Sequence, residues 1–244
     1  MTTDWSSPGV AQAYEDYDPM RERALAYPVM FDALRLGTAD GRVVLDYGCG
    51  TGKVAERIVR TYGARVIGAE PSPGMLSMAR AKRSLPEITY RAIADDQRLD
   101  LPDASVDGAL SCFIFVCISE ADRIQRIARE VHRVLKPGAA YAMLEINPDT
   151  TGIPFATAQM GDPGRTYRAG EPIEVRLARP DREPMILIDY FWPEESQRHF
   201  LSTAGFRTIT VHRPTLPDDY QGPDLAQMQV ERTHPPYAIY VARK

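Results

Sequence analysis

Residues 43–53 read VVLDYGCGTGK, and this stretch decides the fold that the chain predicts. A short apolar run ends in the acid Asp46, and three alternating glycines then precede a helical pattern. These glycines are Gly48, Gly50 and Gly52. Glycine permits a sharp turn and lets a ligand approach the bare backbone, and the start of the following helix offers free N–H groups. The stretch therefore predicts a strand, a ligand-binding turn and a helix.

Apolar runs suited to strands alternate with helical patterns on both sides of this turn. Such alternation is typical of βαβ units and of a parallel sheet. In one predicted helix, residues 119–136, the apolar residues recur at three- and four-residue spacing, so one face should pack on the sheet. We predict strands at residues 42–46, 65–69, 88–93, 106–113 and 139–146, and further helices from residue 53 and at 73–83.

The segments outside the core at residues 40–147 differ from it in character. Residues 1–38 hold two short helical patterns with aromatic residues and predict a helical lid. Residues 148–185 are rich in Gly, Pro, Thr and Arg and predict an insertion that caps the sheet after strand five, with too few apolar residues for its own core. Residues 186–244 should complete a single domain that spans residues 1–244. They are expected to add strands near 185–192, 206–211 and 237–242 and a helix at 194–204.

Composition excludes several classes of protein. Hydrophobic residues make up 44% and charged residues 25% of 244 residues, which is the balance of a globular chain rather than a disordered one. The formal net charge of −4 argues against a nucleic-acid binder, which needs a basic surface. No signal peptide or membrane-spanning run is visible. The three cysteines lack metal-ligand spacing, so we expect no metal site. Charge and the lack of an apolar span lead us to expect no nucleic-acid or membrane partner. We also expect a cytoplasmic location and a monomer or homodimer.

Two kinds of nucleotide-binding loop compete for the glycine turn. A phosphate-binding P-loop needs Ser or Thr after its Lys, whereas Val54 follows Lys53 here, so that motif does not fit. A nicotinamide fingerprint, G-x-G-x-x-G/A, fits Gly50, Gly52 and Ala55. An NAD-dependent oxidoreductase therefore stays open as an alternative from this turn alone.

A third interpretation accounts for more of the chain. Asp46 with the alternating glycines resembles motif I of the class I S-adenosylmethionine-dependent methyltransferases. Residues 70–75 resemble the acid-x-Ser/Thr-x-x-Met continuation of that family, residues 91–107 its adenine-binding stretch, and residues 133–138 its Arg-x-Leu-Lys-Pro-Gly turn. A nicotinamide enzyme does not explain the last two. The resemblance implies a three-layer, Rossmann-like α/β sheet of about seven mostly parallel strands with helices on both faces.

The resemblance also implies S-adenosylmethionine as the cofactor and places its contacts. In the family the glycine loop passes under the methionine part, and Glu70 would accept the ribose hydroxyls. Met75 would lie near the adenine. The adenine amino group would donate to Asp95, and the backbone N–H at Asp96 would face the ring edge. The assignment between Asp95 and Asp96 stays open because Ala94 and Asp96 depart from the family pattern. The implied cofactor residues are Asp46, Gly48, Cys49, Gly50, Gly52, Glu70, Pro71, Met75, Asp95, Asp96 and Ser111.

The methyl acceptor is expected above the carboxyl ends of strands four and five. Methyl transfer is an in-line displacement in which holding the acceptor in place does much of the work, and a base helps where the acceptor loses a proton. Tyr17 and Glu145 are the candidate catalytic residues. The expected substrate pocket consists of Tyr14, Tyr17, Phe113, Asn147 and Tyr190.

The predicted function is methyl transfer to an oxygen or nitrogen atom of a small molecule, such as a secondary metabolite. One alternative is a protein that binds S-adenosylmethionine but catalyses another reaction, such as a cyclisation. The other is the nicotinamide-dependent oxidoreductase.

Overall fold

The computed structural model describes residues 3–38, 41–179, 182–222 and 225–244. The outermost residues of the predicted lid (1–2), the first residue of the predicted core (40) and two residues of the predicted insertion (180–181) lie outside these ranges. The described strands are β1 (Val43–Tyr47), β2 (Arg65–Glu70), β3 (Ile88–Ala92), β4 (Val106–Cys112), β5 (Leu135–Ile146), β6 (Ala158–Met160), β7 (Pro172–Arg179), β8 (Arg182–Tyr190), β9 (Thr208–His212) and β10 (Tyr237–Arg243).

Seven of these strands form the central sheet in the order β3-β2-β1-β4-β5-β10-β9. The pairs from β3 to β5 are parallel, whereas β10 runs antiparallel to both of its neighbours. Strand order reverses beside β1, because the chain goes first to β2 on one side and later to β4 on the other. The prediction of about seven mostly parallel strands is confirmed.

Helices cover both faces of this sheet. The described helices are α1 (Pro8–Glu15), α2 (Tyr27–Ala33), α3 (Lys53–Tyr62), α4 (Pro73–Lys82), α5 (Ala121–Val134) and α6 (Glu194–Thr203). Alternate strand residues point to opposite faces, so Leu45 packs with α5 and α6 whereas Val44 packs with α2 and α3. None of the described helices is both long and apolar enough to cross a membrane.

The insertion forms a sheet of its own. Strands β6, β7 and β8 pair antiparallel in that order, with Val175 opposite Leu187. The strand that we predicted near residues 185–192 is β8, and it pairs with β7 rather than with the central sheet. The insertion, called the cap below, therefore runs on to Tyr190, and the predicted boundary at residue 185 is wrong. An alternating pattern shows that a segment is a strand but not which strand pairs with it.

The lid, residues 3–38, is tied to both other parts of the molecule. The Lys53 ammonium at the start of α3 donates to three carbonyl oxygens at the end of α1, those of Tyr14 (3.2 Å), Glu15 (2.6 Å) and Tyr17 (2.8 Å). At the other side, the N–H of Ile188 in β8 donates to Thr3 Oγ1 at 2.8 Å. The lid thus bridges the core and the cap.

Ser111, which we predicted to contact the cofactor, belongs to the interior of the sheet. It is fully buried in β4, and its Oγ lies 2.6 Å from the Tyr141 hydroxyl. The prediction rested on its position near the end of a strand, but Cys112 and Phe113 extend past it toward the sheet edge.

We expect Ser111→Ala to lower the free energy of unfolding by about 1–3 kcal/mol, because it leaves the buried Tyr141 hydroxyl without its partner. Urea unfolding measures the loss, and calorimetric titration should find the affinity for S-adenosylmethionine unchanged. A tenfold loss of affinity with unaltered stability would instead restore Ser111 as a cofactor residue.

Candidate active site

A cavity of about 550 Å³ opens at the carboxyl edge of the central sheet. Its walls come from the core, the lid and the cap. It lies where the strand order reverses, which is the usual position of a ligand site in an open α/β sheet. The residues that were predicted from the sequence and line this cavity are Asp46, Gly48, Cys49, Gly50, Glu70, Pro71, Met75, Tyr14, Tyr17, Phe113 and Tyr190.

The glycine turn forms the floor of the cavity. All three glycines have positive φ, at 75° for Gly48, 52° for Gly50 and 82° for Gly52. A Cβ on Gly48 would collide with the Ile114 side chain, and a Cβ on Gly52 would collide with Tyr90. A Cβ on Gly50 would meet no atom closer than the Tyr14 ring, at 3.8 Å. The outer glycines are therefore needed for packing, while the middle one leaves bare backbone beside the cavity.

Two acids stand at the ends of neighbouring strands beside this turn. The carboxylate of Glu70 accepts the N–H groups of Gly50 and Ser72, both at 2.9 Å, and so braces the turn against the start of α4. Asp46 is buried, and its Oδ2 has no hydrogen-bond partner. Burial, together with the charge of Glu70, raises the pKa of Asp46 to about 7. A ligand with hydroxyl or ammonium donors suits this pair, so the residues fit S-adenosylmethionine.

The structure does not bring Asp95 and Asp96 into the cavity. Both side chains are exposed, and Gln97 lines the cavity instead. A tight turn causes the difference: Gln97 has φ 68°, and its N–H donates to the carbonyl of Ala94 at 2.9 Å. Its side-chain amide donates to the carbonyl of Asp95 at 2.9 Å. Which side chain such a turn sends inward could not be predicted from spacing.

Glu145 lies behind the cavity rather than in its wall. Its fully buried carboxylate accepts three successive backbone N–H groups of the turn after β4, those of Ile114 (3.1 Å), Phe115 (3.0 Å) and Val116 (3.3 Å). Burial raises the pKa of Glu145 to about 8, although these N–H groups act in the opposite direction. The carboxylate holds this turn in place and does not meet an acceptor, so its prediction as a base is wrong.

Asn147 is also structural. It is buried outside the cavity wall, where its Nδ2 donates to the carbonyl of Pro235 at 2.9 Å and its Oδ1 accepts the N–H of Asp149 at 3.2 Å. Its prediction as a substrate-pocket residue is therefore wrong. Both oxygen and nitrogen are occupied in joining β5 to the loop before β10.

The predicted aromatic residues do meet at the cavity. Tyr14 and Tyr17 stack with ring centroids 6.2 Å apart. The Tyr17 hydroxyl donates to Glu22 Oε1 at 2.8 Å and lies 3.0 Å from Thr157 Oγ1 in the cap. Burial and the Glu22 carboxylate raise the pKa of Tyr17 well above its usual range. Tyr17 thus stays protonated and links the lid to the cap.

Sequence reasoning missed several charged residues of the wall, notably Arg21 and Glu22 in the lid and Asp189 in the cap. Arg21 lies over the rings of Phe155 and Tyr237, with its guanidinium carbon 5.4 Å and 5.3 Å from their centroids. In the sequence, Asp189 ends the apolar run at residues 185–188, and only the structure shows that its side chain faces the cavity.

Comparison with known proteins identifies the family. The family model described as "Methyltransferase domain" matches residues 44–138. The N-demethylindolmycin N-methyltransferase of Streptomyces griseus is 37% identical over 227 residues, which cover 90% of this chain and 94% of that relative. The chain belongs to the S-adenosylmethionine-dependent methyltransferases. The methyltransferase therefore uses S-adenosylmethionine as its cofactor, as the glycine turn and its acids indicate.

Solved structures agree on the fold of the methyltransferase. A methyltransferase from Mesorhizobium loti, described as S-adenosylmethionine dependent, has a TM-score of 0.60 at 23% identity over 88% of this chain and 97% of its own. The [4+2]-cyclase SpnF has a TM-score of 0.55 at 22% identity over 89% of this chain and 80% of its own. At 22–23% identity, the likeness to these two structures shows the fold alone. The likeness to SpnF therefore does not favour a cyclase. Nothing in the comparisons favours an oxidoreductase.

We expect Glu70→Ala to weaken S-adenosylmethionine binding by about tenfold to a hundredfold, because a charged acceptor of hydrogen bonds is lost from the cavity wall. Asp95→Ala serves as the matched control and should bind as the wild type does, since its carboxylate is exposed outside the cavity. Isothermal titration calorimetry measures both. Equal losses in the two variants would contradict the placement of the cofactor beside Glu70.

We expect Glu145→Gln to lower the free energy of unfolding by about 1–3 kcal/mol, because an amide cannot accept all three N–H groups that the carboxylate accepts. Its remaining activity should keep the wild-type pH profile, since Glu145 moves no proton. Chemical unfolding and a pH series of initial rates test this. A stable variant that has lost one limb of the profile would show that Glu145 is a base after all.

Proposed function

We propose that this methyltransferase methylates a nitrogen atom of a small molecule, such as a secondary metabolite. The observation that carries the proposal is the 37% identity to the N-demethylindolmycin N-methyltransferase, which spans 227 residues. That length exceeds the core at residues 40–147, so the likeness includes parts of the chain that surround the acceptor. Relatives matched over the core alone would support only the cofactor.

The form of the cavity supports a small acceptor. A volume of about 550 Å³ lies within the range of pockets for small molecules. The lid and the cap close over the carboxyl edge of the sheet, and aromatic side chains from Tyr14, Phe113 and Tyr190 line the space. The net charge of −4 does not favour a nucleic acid as substrate.

In this proposal the cofactor lies across the glycine turn, and Glu70 accepts the hydroxyls of its ribose. Asp46 attracts its positively charged methionine end, and Met75 packs near its adenine. S-adenosylmethionine supplies a methyl group that its sulfonium makes reactive. The buried position of these residues excludes water and fixes the cofactor on one side of the cavity, which leaves the other side for the acceptor.

Tyr17 positions the acceptor in this arrangement. Its raised pKa keeps the hydroxyl protonated and the hydroxyl donates to Glu22, so Tyr17 orders the cavity wall and does not act as a base. Its ring and that of Tyr14 border the space beside the turn after β4. This role keeps Tyr17 among the residues proposed for the acceptor site.

We further propose that the protein acts in the cytoplasm as a monomer or homodimer, without nucleic-acid partners. Its three cysteines, Cys49, Cys112 and Cys117, are all free. Free thiols persist in a reducing compartment.

A transfer assay tests the proposed function. We expect the purified protein to convert N-demethylindolmycin with S-adenosylmethionine to a product heavier by one CH₂, with one S-adenosylhomocysteine formed per product and the new methyl on nitrogen by NMR. Glu70→Ala should turn over far less at limiting cofactor, whereas Asp95→Ala should match the wild type. Methylation of phenols or alcohols, with none of any amine, would favour the oxygen-directed alternative.

A further inference from the structure

The inner face of the cap carries one residue that breaks its apolar pattern. Alternate residues of a strand share a face, and Val175, Leu177 and Leu187 all line the cavity from β7 and β8. The next inward position on β8 is Asp189, paired across the strands with Ile173. A carboxylate therefore stands where the pattern calls for an apolar side chain.

The surroundings of Asp189 do not satisfy its charge. Its residue surface is only 4% exposed, and Oδ1 has no hydrogen-bond partner. Within the described ranges, no ion pair or hydrogen bond reaches its carboxylate. A buried carboxylate without a partner destabilises the fold, so a sheet selected for stability alone would carry Leu or Val here. The missing partner is expected to be a ligand in the cavity.

The position of Asp189 separates it from the acids assigned to the cofactor. Asp46 and Glu70 follow β1 and β2 beside the glycine turn, whereas Asp189 belongs to the cap. Strand β8 packs against the turn at residues 115–117 that follows β4. Just beyond β8, the Trp192 indole N–H donates to the carbonyl of Ile118 at 3.0 Å and fixes this packing. Asp189 thus faces the side of the cavity that is left for the acceptor.

We propose that Asp189 binds a cationic nitrogen of the methyl acceptor and takes up its proton before transfer. The acceptor class is accordingly a small base that is protonated at neutral pH, such as an aliphatic amine or an amidine. One proton passes from nitrogen to a carboxylate oxygen, so the nitrogen regains its lone pair and the carboxyl becomes neutral. The proton passes to water when the product leaves. This inference rests on the proposed nitrogen methylation and names its substrate class.

The environment of the carboxyl suits a reversible proton acceptor. Burial raises the pKa of Asp189 to about 7, close to the pH at which a proton acceptor works in both directions. The titratable groups whose charges interact with it are the Cys117 thiol and the Glu145 carboxyl. The carboxyl of Glu145 is committed to three backbone N–H groups, so of these two acids Asp189 is the one that can meet a substrate.

Binding of a matched pair of probes tests the charge at this position. We expect 2-phenylethylamine to bind the protein saturated with S-adenosylhomocysteine at least tenfold more tightly than 2-phenylethanol, which has the same shape without the charge. The difference should disappear in Asp189→Asn. It should persist in Glu174→Gln, a control on the adjacent strand whose side chain is 41% exposed and paired with Arg176. Equal binding of amine and alcohol by the wild type overturns the proposal without any variant.

The cofactor itself provides the second arm. S-adenosylmethionine carries a sulfonium charge that S-adenosylhomocysteine lacks, so the ratio of their affinities reports any carboxylate that faces the sulfur. We expect Asp189→Asn to leave this ratio unchanged. A variant that loses affinity for S-adenosylmethionine alone would show that Asp189 serves the cofactor, and the inference would be wrong.

Transfer assays distinguish failure of this inference from failure of the proposed function. If the wild type methylates nitrogen and Asp189→Asn does so equally well at saturating amine with unchanged KM, only the role of Asp189 is refuted. If the wild type methylates oxygen and no nitrogen, the proposed function fails first. A tenfold or greater rise in KM for the amine, with no loss of stability and with unaltered S-adenosylhomocysteine affinity, supports the inference.

Discussion

The backbone at the glycine turn after β1 is the constraint on which the rest of the site depends. Positive φ at three alternating positions turns the chain directly from the centre of the sheet into α3. Side chains on Gly48 and Gly52 would collide with Ile114 after β4 and with Tyr90 in β3. Because the turn occurs where the strand order reverses, it opens the space that the lid and cap then enclose.

The parts of the fold that could be predicted from sequence are those set by local pattern. The central strands up to β5 are apolar runs, and the glycines, helix starts and acids around them lie within a few residues of one another. Glu70 and Met75 could be placed because a strand end fixes where the next residues must lie. Periodicity, turn chemistry and the family resemblance therefore placed the glycine turn and the strand end at Glu70, but they did not place Asp95, Asp96 or Ser111.

The acceptor side depends on contacts between distant residues, and prediction failed there for that reason. Glu145 ends a strand as a catalytic acid would, yet its carboxylate binds N–H groups about 30 residues earlier in the chain. Spacing could not separate Gln97 from Asp95, since one residue at positive φ reverses which side chain points inward. The sequence did not indicate that β8 pairs with β7, and so it did not place Asp189 in the cavity wall.

Charged side chains hold the end of α1 in the lid to the core, and this has a kinetic consequence. Lys53 holds the end of α1, and Glu15 pairs with Arg83 at 2.8 Å and with Lys82 at 3.3 Å. Opening of the lid at this point separates such contacts, and rising ionic strength weakens the attraction of the exposed Lys82 more than that of the shielded Glu15–Arg83 pair. Added salt would therefore speed the opening of the lid. If product release limits turnover, the enzyme would turn over faster at higher ionic strength while binding its acceptor more weakly.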